Sequence, residues 1–430
     1  MRILALIPRY HPAVGGAESH MGSVYRILAE RGHNVTVLTT DALDMSLFWS
    51  KSGRRITELE SKHESVRIVR FPLKQLPLAQ YTFPATRLAT DQVAKIFPKT
   101  TLVDGLTKLT PYVPAMTRWL QTTREQFDVV ISTVITLEGI VKRGQIFAQQ
   151  RGIPFVVYPL SHLGAGSNPA EDPISRFYTM RHQQQMIIDA DGMIANNPAE
   201  IEFYLMRGKD ESRIVLSPPA LDFDRLSGGD GGRWRKQHNI TNDTPLIVAI
   251  SALTKHKGTQ LTLAAMRQLW RQGSKAKLIL AGSLMLDFEQ ALSNLPKSEQ
   301  INLIMLGRIS DQERNDLLAA ADIFCMPSRV ESFGMAFAEA MFYKKPVIGA
   351  RVWGVNDFVI KQGKNGFVVD PDDEQELVDR LKILLEDAGL RKQMGLAGHN
   401  FVMSDLSWEK SVDAIDCLLN KVVSLNRGST

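Results

Sequence analysis

Two cysteines in 430 residues, Cys325 and Cys417, offer no disulfide framework and no thiol pair at zinc or redox spacing, which points to a reducing compartment. No run approaches the roughly 20 apolar residues that a membrane-spanning helix needs. The opening stretch, Arg2 to Ile7, is too short for a secretory leader and ends at Pro8-Arg9. These absences set the expectation of a cytoplasmic protein, soluble or peripheral. A Gly-x-Gly-x-x-Gly fingerprint is missing after the first apolar run, which argues against a nicotinamide dehydrogenase, and no Gly-x-x-x-x-Gly-Lys-Ser/Thr loop supports a P-loop ATPase. The histidines show no zinc spacing. Three Asp-x-Asp pairs (Asp189/Asp191, Asp222/Asp224 and Asp370/Asp372) have no further acidic neighbours in sequence, so no metal site is expected.

What is present is ordinary globular material: 44% hydrophobic and 23% charged residues, enough for two cores in a chain of this length. The net charge of +5 is uneven. Residues 1–221 hold 25 Lys/Arg against 20 Asp/Glu, and residues 222–430 hold 26 of each. Between residues 66 and 126 there are 9 basic and 3 acidic residues. An anionic partner for the N-terminal half follows from that asymmetry, whereas a charge so local disfavours a nucleic-acid binder.

Short apolar runs alternate with helical periodicity. Residues 2–7 read as a buried parallel strand, about 17–31 as a helix, and 35–39 as the next strand. Strands recur near residues 66–70, 129–132, 155–158, 193–195 and 214–216. The rhythm resumes at residues 246–250, 278–281, 303–306, 323–326, 347–350 and 367–369. Helices at about 373–401, broken near Ala388-Gly389, and 407–425 finish the chain. The fold class is α/β: two Rossmann-like, doubly wound parallel-sheet domains facing across a cleft, with ligands expected at carboxyl ends of strands. The predicted boundaries are residues 1–218, 219–405, and a C-terminal helix in 406–430 packing back on the first domain. Ser227-Gly228-Gly229-Asp230-Gly231-Gly232 reads as a flexible linker. Residues 71–127 interrupt the alternation with six prolines and with basic residues (Lys74, Arg87, Lys95, Lys99, Lys108, Arg118, Arg124) set among Phe71, Tyr81, Phe83, Phe97, Tyr112 and Trp119. Cations among aromatics suit an anionic membrane surface or a lipid-linked acceptor; an ordinary solvated insertion is the alternative.

Four places could carry chemistry. Gly15-Gly16 stand between a strand and a helix, where a bare backbone admits a phosphate, or simply turns. Lys255 and Lys257 follow a strand end beside Gly258 and a helix, a setting that suits a diphosphate or a solvated loop. His162 follows another strand end, with Gly164 and Gly166 leaving room for a ligand; a structural histidine fits equally. The most informative run is Pro327 to Ala340. Glu331 falls in a loop and Glu339 eight positions on, slightly more than two helical turns away. There Ser332 can cap a helix and Phe333, Met335, Phe337 and Ala340 face inward. The pair could hold two parts of an extended ligand, or be one surface and one buried glutamate.

Together these pieces resemble the retaining, nucleotide-sugar-dependent glycosyltransferases of family four (group 1), which have the GT-B architecture. The resemblance rests on Pro8-Arg9-Tyr10-x-Pro12-x-x-Gly15-Gly16-x-Glu18, Ser161-His162, Leu253-x-x-x-Lys257-Gly258, Glu331 to Glu339, and Gly363-x-Asn365-Gly366-Phe367 followed by Asp370. It implies a hexosyltransferase that moves a sugar from a UDP-, GDP- or ADP-sugar to a hydroxyl of a lipid-linked or glycan acceptor in cell-envelope glycan synthesis. No cofactor or metal is implied. Cytoplasmic placement, peripheral on the inner face of a membrane, fits such an acceptor. Residue by residue, it implies that Gly15 and Gly16 admit donor and acceptor, with Tyr10 and Glu18 on the acceptor side. His162 would touch the donor sugar, Lys257 (with Lys255 or Arg308) would neutralise the leaving diphosphate, and Glu331 would hold sugar hydroxyls. Phe333, Gly334 and Met335 would approach the donor through their backbone, and Glu339 would hold the ribose.

Two positions depart from the family pattern. Ala252 stands where the family has an arginine, so a second cation on the diphosphate must come from Lys255 or Arg308, or be missing; Ala220 replaces a hinge glycine. The alternatives are a phosphorylase or sugar-phosphate synthase on the same architecture and a catalytically impaired nucleotide-sugar-binding protein.

Overall fold

The computed structural model describes residues 1–164, 175–293, 295–352 and 355–428, so Gly166 lies outside the described residues. Its contacts divide into two compact units. Of the described residues, the first unit holds 1–162, 175–218 and 409–428, and the second 163–164 and 219–408.

The first unit is built on eight strands: β1 (Arg2–Leu6), β2 (Asn34–Thr40), β3 (Glu60–His63), β4 (Val66–Phe71), β5 (Val129–Thr133), β6 (Phe155–Tyr158), β7 (Gly192–Ala195) and β8 (Ile214–Leu216). They lie in the order β3-β4-β2-β1-β5-β6-β7-β8, parallel except for β3, which runs antiparallel to β4. The central strands are apolar on both faces because helices cover both, which is why they read in sequence as continuous runs. The order reverses at β1/β5, and the loop Ile7–Gly15 leaves β1 there. In open α/β sheets the crevice outside the strand carboxyl ends at such a reversal is where ligands bind.

The insertion folds as three helices, Ala79–Ile96, Thr101–Thr107 and Pro114–Thr122. Its anchor is buried and ionic. Arg87 donates to both oxygens of Glu138, at 3.0 and 3.1 Å, with the two side chains 8% and 0% exposed. Thr110 Oγ1 and Gln183 Nε2 complete the carboxylate's shell at 2.9 and 3.2 Å. Arg143 carries four hydrogen bonds to Thr117 Oγ1 and the carbonyls of Lys108, Pro111 and Gly139. The C-terminal helix Trp408–Gly428 also belongs to this unit: Arg31 pairs with Asp413 at 2.7 Å, and Ser217 Oγ meets Ser411 Oγ at 2.7 Å. No helix among the described residues is long and apolar enough to cross a membrane.

The second unit has six parallel strands, β9 (Leu246–Ile250), β10 (Lys277–Ala281), β11 (Leu303–Gly307), β12 (Ile323–Met326), β13 (Val347–Ala350) and β14 (Gly366–Val369), ordered β11-β10-β9-β12-β13-β14. Here the order reverses at β9/β12, so the loops after those two strands are the ligand-facing candidates.

The glycine-rich run corrects the sequence reading. Residues 227–232 are not a tether but lie within the second unit. The helix Gly231–Gln237 packs on the helix Asp311–Ala320, and a Cβ at Gly231 would come within 2.7 Å of the Ala319 and Ala320 backbone. Glycine is there for close approach, not for flexibility. Asp230 caps the helix by accepting from Arg233 N, and Asp316 grips Arg233 at 2.6 Å. Gly231→Ala should destabilise the fold by about 1–3 kcal/mol. Gly232→Ala, whose Cβ meets only Asp230 Oδ1 at 3.4 Å, should change it little. Urea melts of the two variants decide: equal midpoints would restore the tether.

Candidate active site

In the second unit two loops are laced together. The chain leaves β9 through Ser251, Ala252 and the fully buried Leu253, whose N–H donates to Ser283 O at 2.9 Å. Thr254 Oγ1 then accepts from Lys257 N, closing a tight turn over Lys255–Lys257. Gly258 has φ +74° and lies so close to the β12 exit that a Cβ would overlap Pro327 O. From the other side, Arg329 N and Ser328 Oγ both donate to His256 O, at 2.8 and 3.3 Å. This lacing delivers Lys257 Nζ to Glu331 Oε1 at 2.7 Å. The Glu331 side chain is 9% exposed and Lys257 32%, so the cation keeps a solvent-facing side while the carboxylate is enclosed. Lys257 is the one cation within ion-pair distance of Glu331 among the described residues.

The helix after Glu331 starts later than the sequence suggests. Ser332 is not its cap; Gly334 holds that position with φ 91° and ψ 48°, and the helix runs Met335–Phe342. Phe333 is 1% exposed and anchors the loop in the core against Phe358. Glycine in the left-handed region brings bare backbone to the start of a helix, where N–H groups favour an anion. Glu339, on that helix, stands 3.7 Å from Arg314 Nη1. Burial raises its pKa; Arg314 and Arg225 oppose the shift, and Asp311 adds to it.

The two residues offered in place of the absent arginine stand on loops beside the pair. Arg308 Nε donates to Ser283 Oγ at 2.8 Å, whereas Lys255 is tied through its backbone N–H, which donates to Asp287 Oδ2 at 2.7 Å. Among the described residues, neither side chain makes an ion pair with Glu331. The Asp-x-Asp pairs have structural work: Asp222 caps a helix, Asp372 pairs with Arg329, and Asp189 pairs with Lys99.

In the first unit, Gly15 and Gly16 differ. A Cβ at Gly15 would strike Glu18, whereas one at Gly16 meets nothing within 4 Å. Glu18 itself is held by Arg9 at 2.6 Å, both side chains about one-tenth exposed, and Arg9 Nη1 also donates to Leu43 O at 3.0 Å. Tyr10 corrects the sequence reading: at 1% exposure, packed 5.9 Å from the Tyr25 ring, it is a core residue and not an acceptor surface. Burial raises its phenol pKa, and the charge of Glu64 adds to the shift.

His162 closes the loop after β6. Leu160 turns the chain with φ 54°, and Ser161 N donates to Glu200 Oε1 at 3.0 Å. Asn196 N donates to the other oxygen of Glu200 at 2.9 Å. Glu200 is fully buried, and burial raises its pKa against those donors. The ring of Tyr178 meets the His162 imidazole edge-to-face, centroids 4.7 Å apart. Arg9, Glu200, Tyr178 and Arg314 were not singled out from sequence. A signal existed for one of them: Asn197-Pro198-Ala199-Glu200 has the spacing of a helix start, Asn197 Oδ1 accepting from Glu200 N.

Two α/β units, each with a strand-order reversal in its sheet, set the class of fold, and comparison with known proteins gives the family. The model described as Glycosyl transferase 4-like domain matches residues 15–220, and Glycosyl transferases group 1 matches residues 230–401. The chain belongs to the group 1 glycosyltransferases, with the paired domains of the GT-B class.

Among its relatives, a GDP-mannose-dependent monoacylated alpha-(1-6)-phosphatidylinositol monomannoside mannosyltransferase of Corynebacterium glutamicum is 33% identical over 45% of this chain and 52% of its own length. A D-inositol 3-phosphate glycosyltransferase of Corynebacterium jeikeium is 28% identical over 56% of this chain and 59% of its own. The chain thus spans between half and three-fifths of these curated relatives. Among solved structures, HepE of Anabaena in complex with UDP superposes with a TM-score of 0.69 at 18% identity, covering 98% of this chain and 100% of that one.

Arg314→Gln should move the Glu339 carboxyl pKa further upward, because it removes a charge that opposes the burial shift. A carbon-13 titration of the labelled side chain reads this directly, and an unmoved midpoint would refute the Arg314–Glu339 coupling.

Proposed function

We propose that the chain transfers a hexose from a nucleotide diphosphate sugar to a hydroxyl acceptor, with retention at the anomeric carbon, in glycolipid or envelope-glycan synthesis. The observation that carries this reading is the Lys257–Glu331 pair at the β9/β12 reversal, laced from two loops and half-open to solvent on the lysine side. Breaking the bond to the anomeric carbon leaves a cation-like sugar and a nucleoside diphosphate. Lys257 and the backbone at Gly334-Met335 would stabilise the negative charge that grows on the leaving group. Glu331 would accept from sugar hydroxyls and Glu339 from the ribose. His162 would contact the transferred sugar. Two-carboxylate glycosidase chemistry needs a pair flanking the scissile bond. Glu331 is instead committed to Lys257, which favours front-side departure, with the leaving phosphate assisting removal of the acceptor proton. No resident metal is part of this scheme.

The acceptor class follows from relatives whose names specify a phosphatidylinositol mannoside or inositol 3-phosphate. Both acceptors carry phosphate, and the positive excess of this chain lies in its first half. We extend the proposal to peripheral membrane attachment through the insertion. The junction of its first two helices exposes Ile96 by 71%, Phe97 by 57% and Leu102 by 58%. Lys74, Arg118 and Arg124 are also exposed. Of the remaining basic residues, Arg87 is buried on Glu138, and Lys95 and Lys99 pair with Asp91 and Asp189.

A panel of GDP-mannose, UDP-glucose and ADP-glucose with phosphorylated inositol acceptors tests the activity. Lys257→Ala and Glu331→Ala should each lower kcat by about 100-fold or more. Gly16→Ala should melt like the parent yet lose turnover, since its Cβ meets only open space in the protein. Near-normal turnover by the Lys257 or Glu331 variant would sink the roles assigned to them. Nucleotide binding with no transfer by the parent protein would establish the impaired binder instead. For the membrane, flotation with phosphatidylglycerol vesicles should recover the protein, and Phe97→Asp should reduce recovery; absence of the parent protein from the lipid fraction would end that reading.

A further inference from the structure

The insertion and the His162 loop are far apart in sequence, yet one buried node connects them. Arg87, on the first insertion helix, spends Nε on Glu138 and Nη2 on the carbonyl of Phe177, at 2.6 Å. Its guanidinium also lies 5.1 Å from the Phe177 ring centroid. Gln183 Nε2 donates to the same carbonyl at 3.0 Å. One helical turn further along the insertion helix, Asp91 Oδ1 accepts from Arg181 N at 2.7 Å. The short segment 175–181 is therefore gripped at both ends by side chains of that helix. The residue presented between the grips is Tyr178, whose ring stands at 61° to His162. On its other side the His162 turn is fixed by Glu200, as described above.

We propose that Tyr178 is a positioning residue for the transfer reaction: its ring, set by the Arg87–Glu138 node, fixes the plane of the His162 imidazole. An edge-to-face contact has a preferred geometry because the positive rim of one ring meets the negative face of the other. It restrains the histidine about its side-chain torsions without taking up a ring nitrogen. A small error in the placement of a group that touches the reacting sugar lowers turnover steeply. The arrangement gives the insertion a task inside the fold, one that its surface composition does not show. This inference rests on the assignment of His162 to the donor sugar.

Arg87→Ala would leave Glu138 buried without its cation and endanger the fold, so the test is placed on Tyr178. Tyr178→Leu keeps apolar volume and removes the ring; Tyr178→Phe keeps the ring and removes the hydroxyl. Tyr178→Leu should lower kcat by about tenfold or more, leave the donor KM within about twofold as expected of a group felt in the transition state, and melt within a few degrees of the parent protein. Tyr178→Phe should restore kcat. The deciding measurement is the double-mutant cycle with His162→Ala. If Tyr178 acts through the imidazole, Tyr178→Leu costs nothing further once the imidazole is gone. An equal fractional loss in both backgrounds, or failure of Tyr178→Phe to restore kcat, would overturn the inference while leaving the role of His162 standing. Undiminished turnover by His162→Ala alone would instead overturn the assignment of His162, and this inference with it.

Discussion

Gly258 is the constraint on which the second unit's site depends. The chain from β9 to the following helix must pass the exit of β12 at a distance that leaves no room for a Cβ, and it does so with a backbone angle that side chains avoid. That approach lets one carbonyl, His256 O, accept from two donors of the opposite loop. With the loops locked, Lys257 and Glu331 meet at 2.7 Å without either side chain having to search for the other. An isolated buried carboxylate is costly, so Glu331 needs Lys257 even in the absence of a ligand. In the proposed reaction a nucleotide sugar resolves this dependence in both directions. Its diphosphate brings charge to the lysine, and its sugar hydroxyls bring donors to the glutamate.

Three of the carboxylates buried in the first unit, Glu18, Glu138 and Glu200, are managed by different means, and the outcomes differ as the physics requires. Glu138 is fully buried, yet its pKa is lowered: burial pushes upward, and Arg87 together with His182 outweighs it. Glu200 is equally buried but has backbone N–H donors from Asn196 and Ser161 and, among the described residues, no cation in ion-pair distance, and burial wins, raising its pKa. Glu18 sits against Arg9. A cation offsets desolvation more fully than neutral donors do. Two of these carboxylates, Glu18 and Glu200, support loops at strand carboxyl ends, and Glu138 holds the insertion.

The alternation of strands and helices was legible because parallel strands buried on both faces are apolar throughout. β3 was not legible. Glu60-Ser61-Lys62-His63 has no apolar face to read, and it is a strand only because its backbone pairs with β4 at the sheet edge. The glycine-rich run 227–232 misled for a related reason: composition reports freedom in the unfolded chain, whereas Gly229 and Gly231 serve contact with a helix that lies about 85 residues downstream. Lys257, Glu331 and Glu339 were singled out through the family resemblance, and the fold pairs Lys257 with Glu331 and sets Glu339 beside Arg314. Tyr178 and Arg314 were not, because their partners lie far away in sequence and no local pattern encodes the meeting. Tyr10 was put on the acceptor side through the family resemblance, which does not report that the loop after β1 folds inward at this ring.

The insertion shows how a charge count in sequence differs from a charge at a surface. Residues 66–126 carry a positive excess, but acids from outside the segment cancel much of it: Glu138 takes Arg87, Asp189 takes Lys99, and Glu60 stands 3.7 Å from Arg67. Long-range attraction to an anionic surface scales with the charge left over, and salt screens it within about 10 Å at moderate ionic strength. In the proposed attachment, burial of the exposed Ile96, Phe97 and Leu102 would be short-ranged, at roughly 25 cal/mol for each Å² removed from water. An interface built this way is held mainly by apolar contact once reached, with the few unpaired cations setting which surface is approached. The same neutralisation that weakens the surface field stabilises the interior, because the cation that left the surface is the one that grips Glu138 and Phe177.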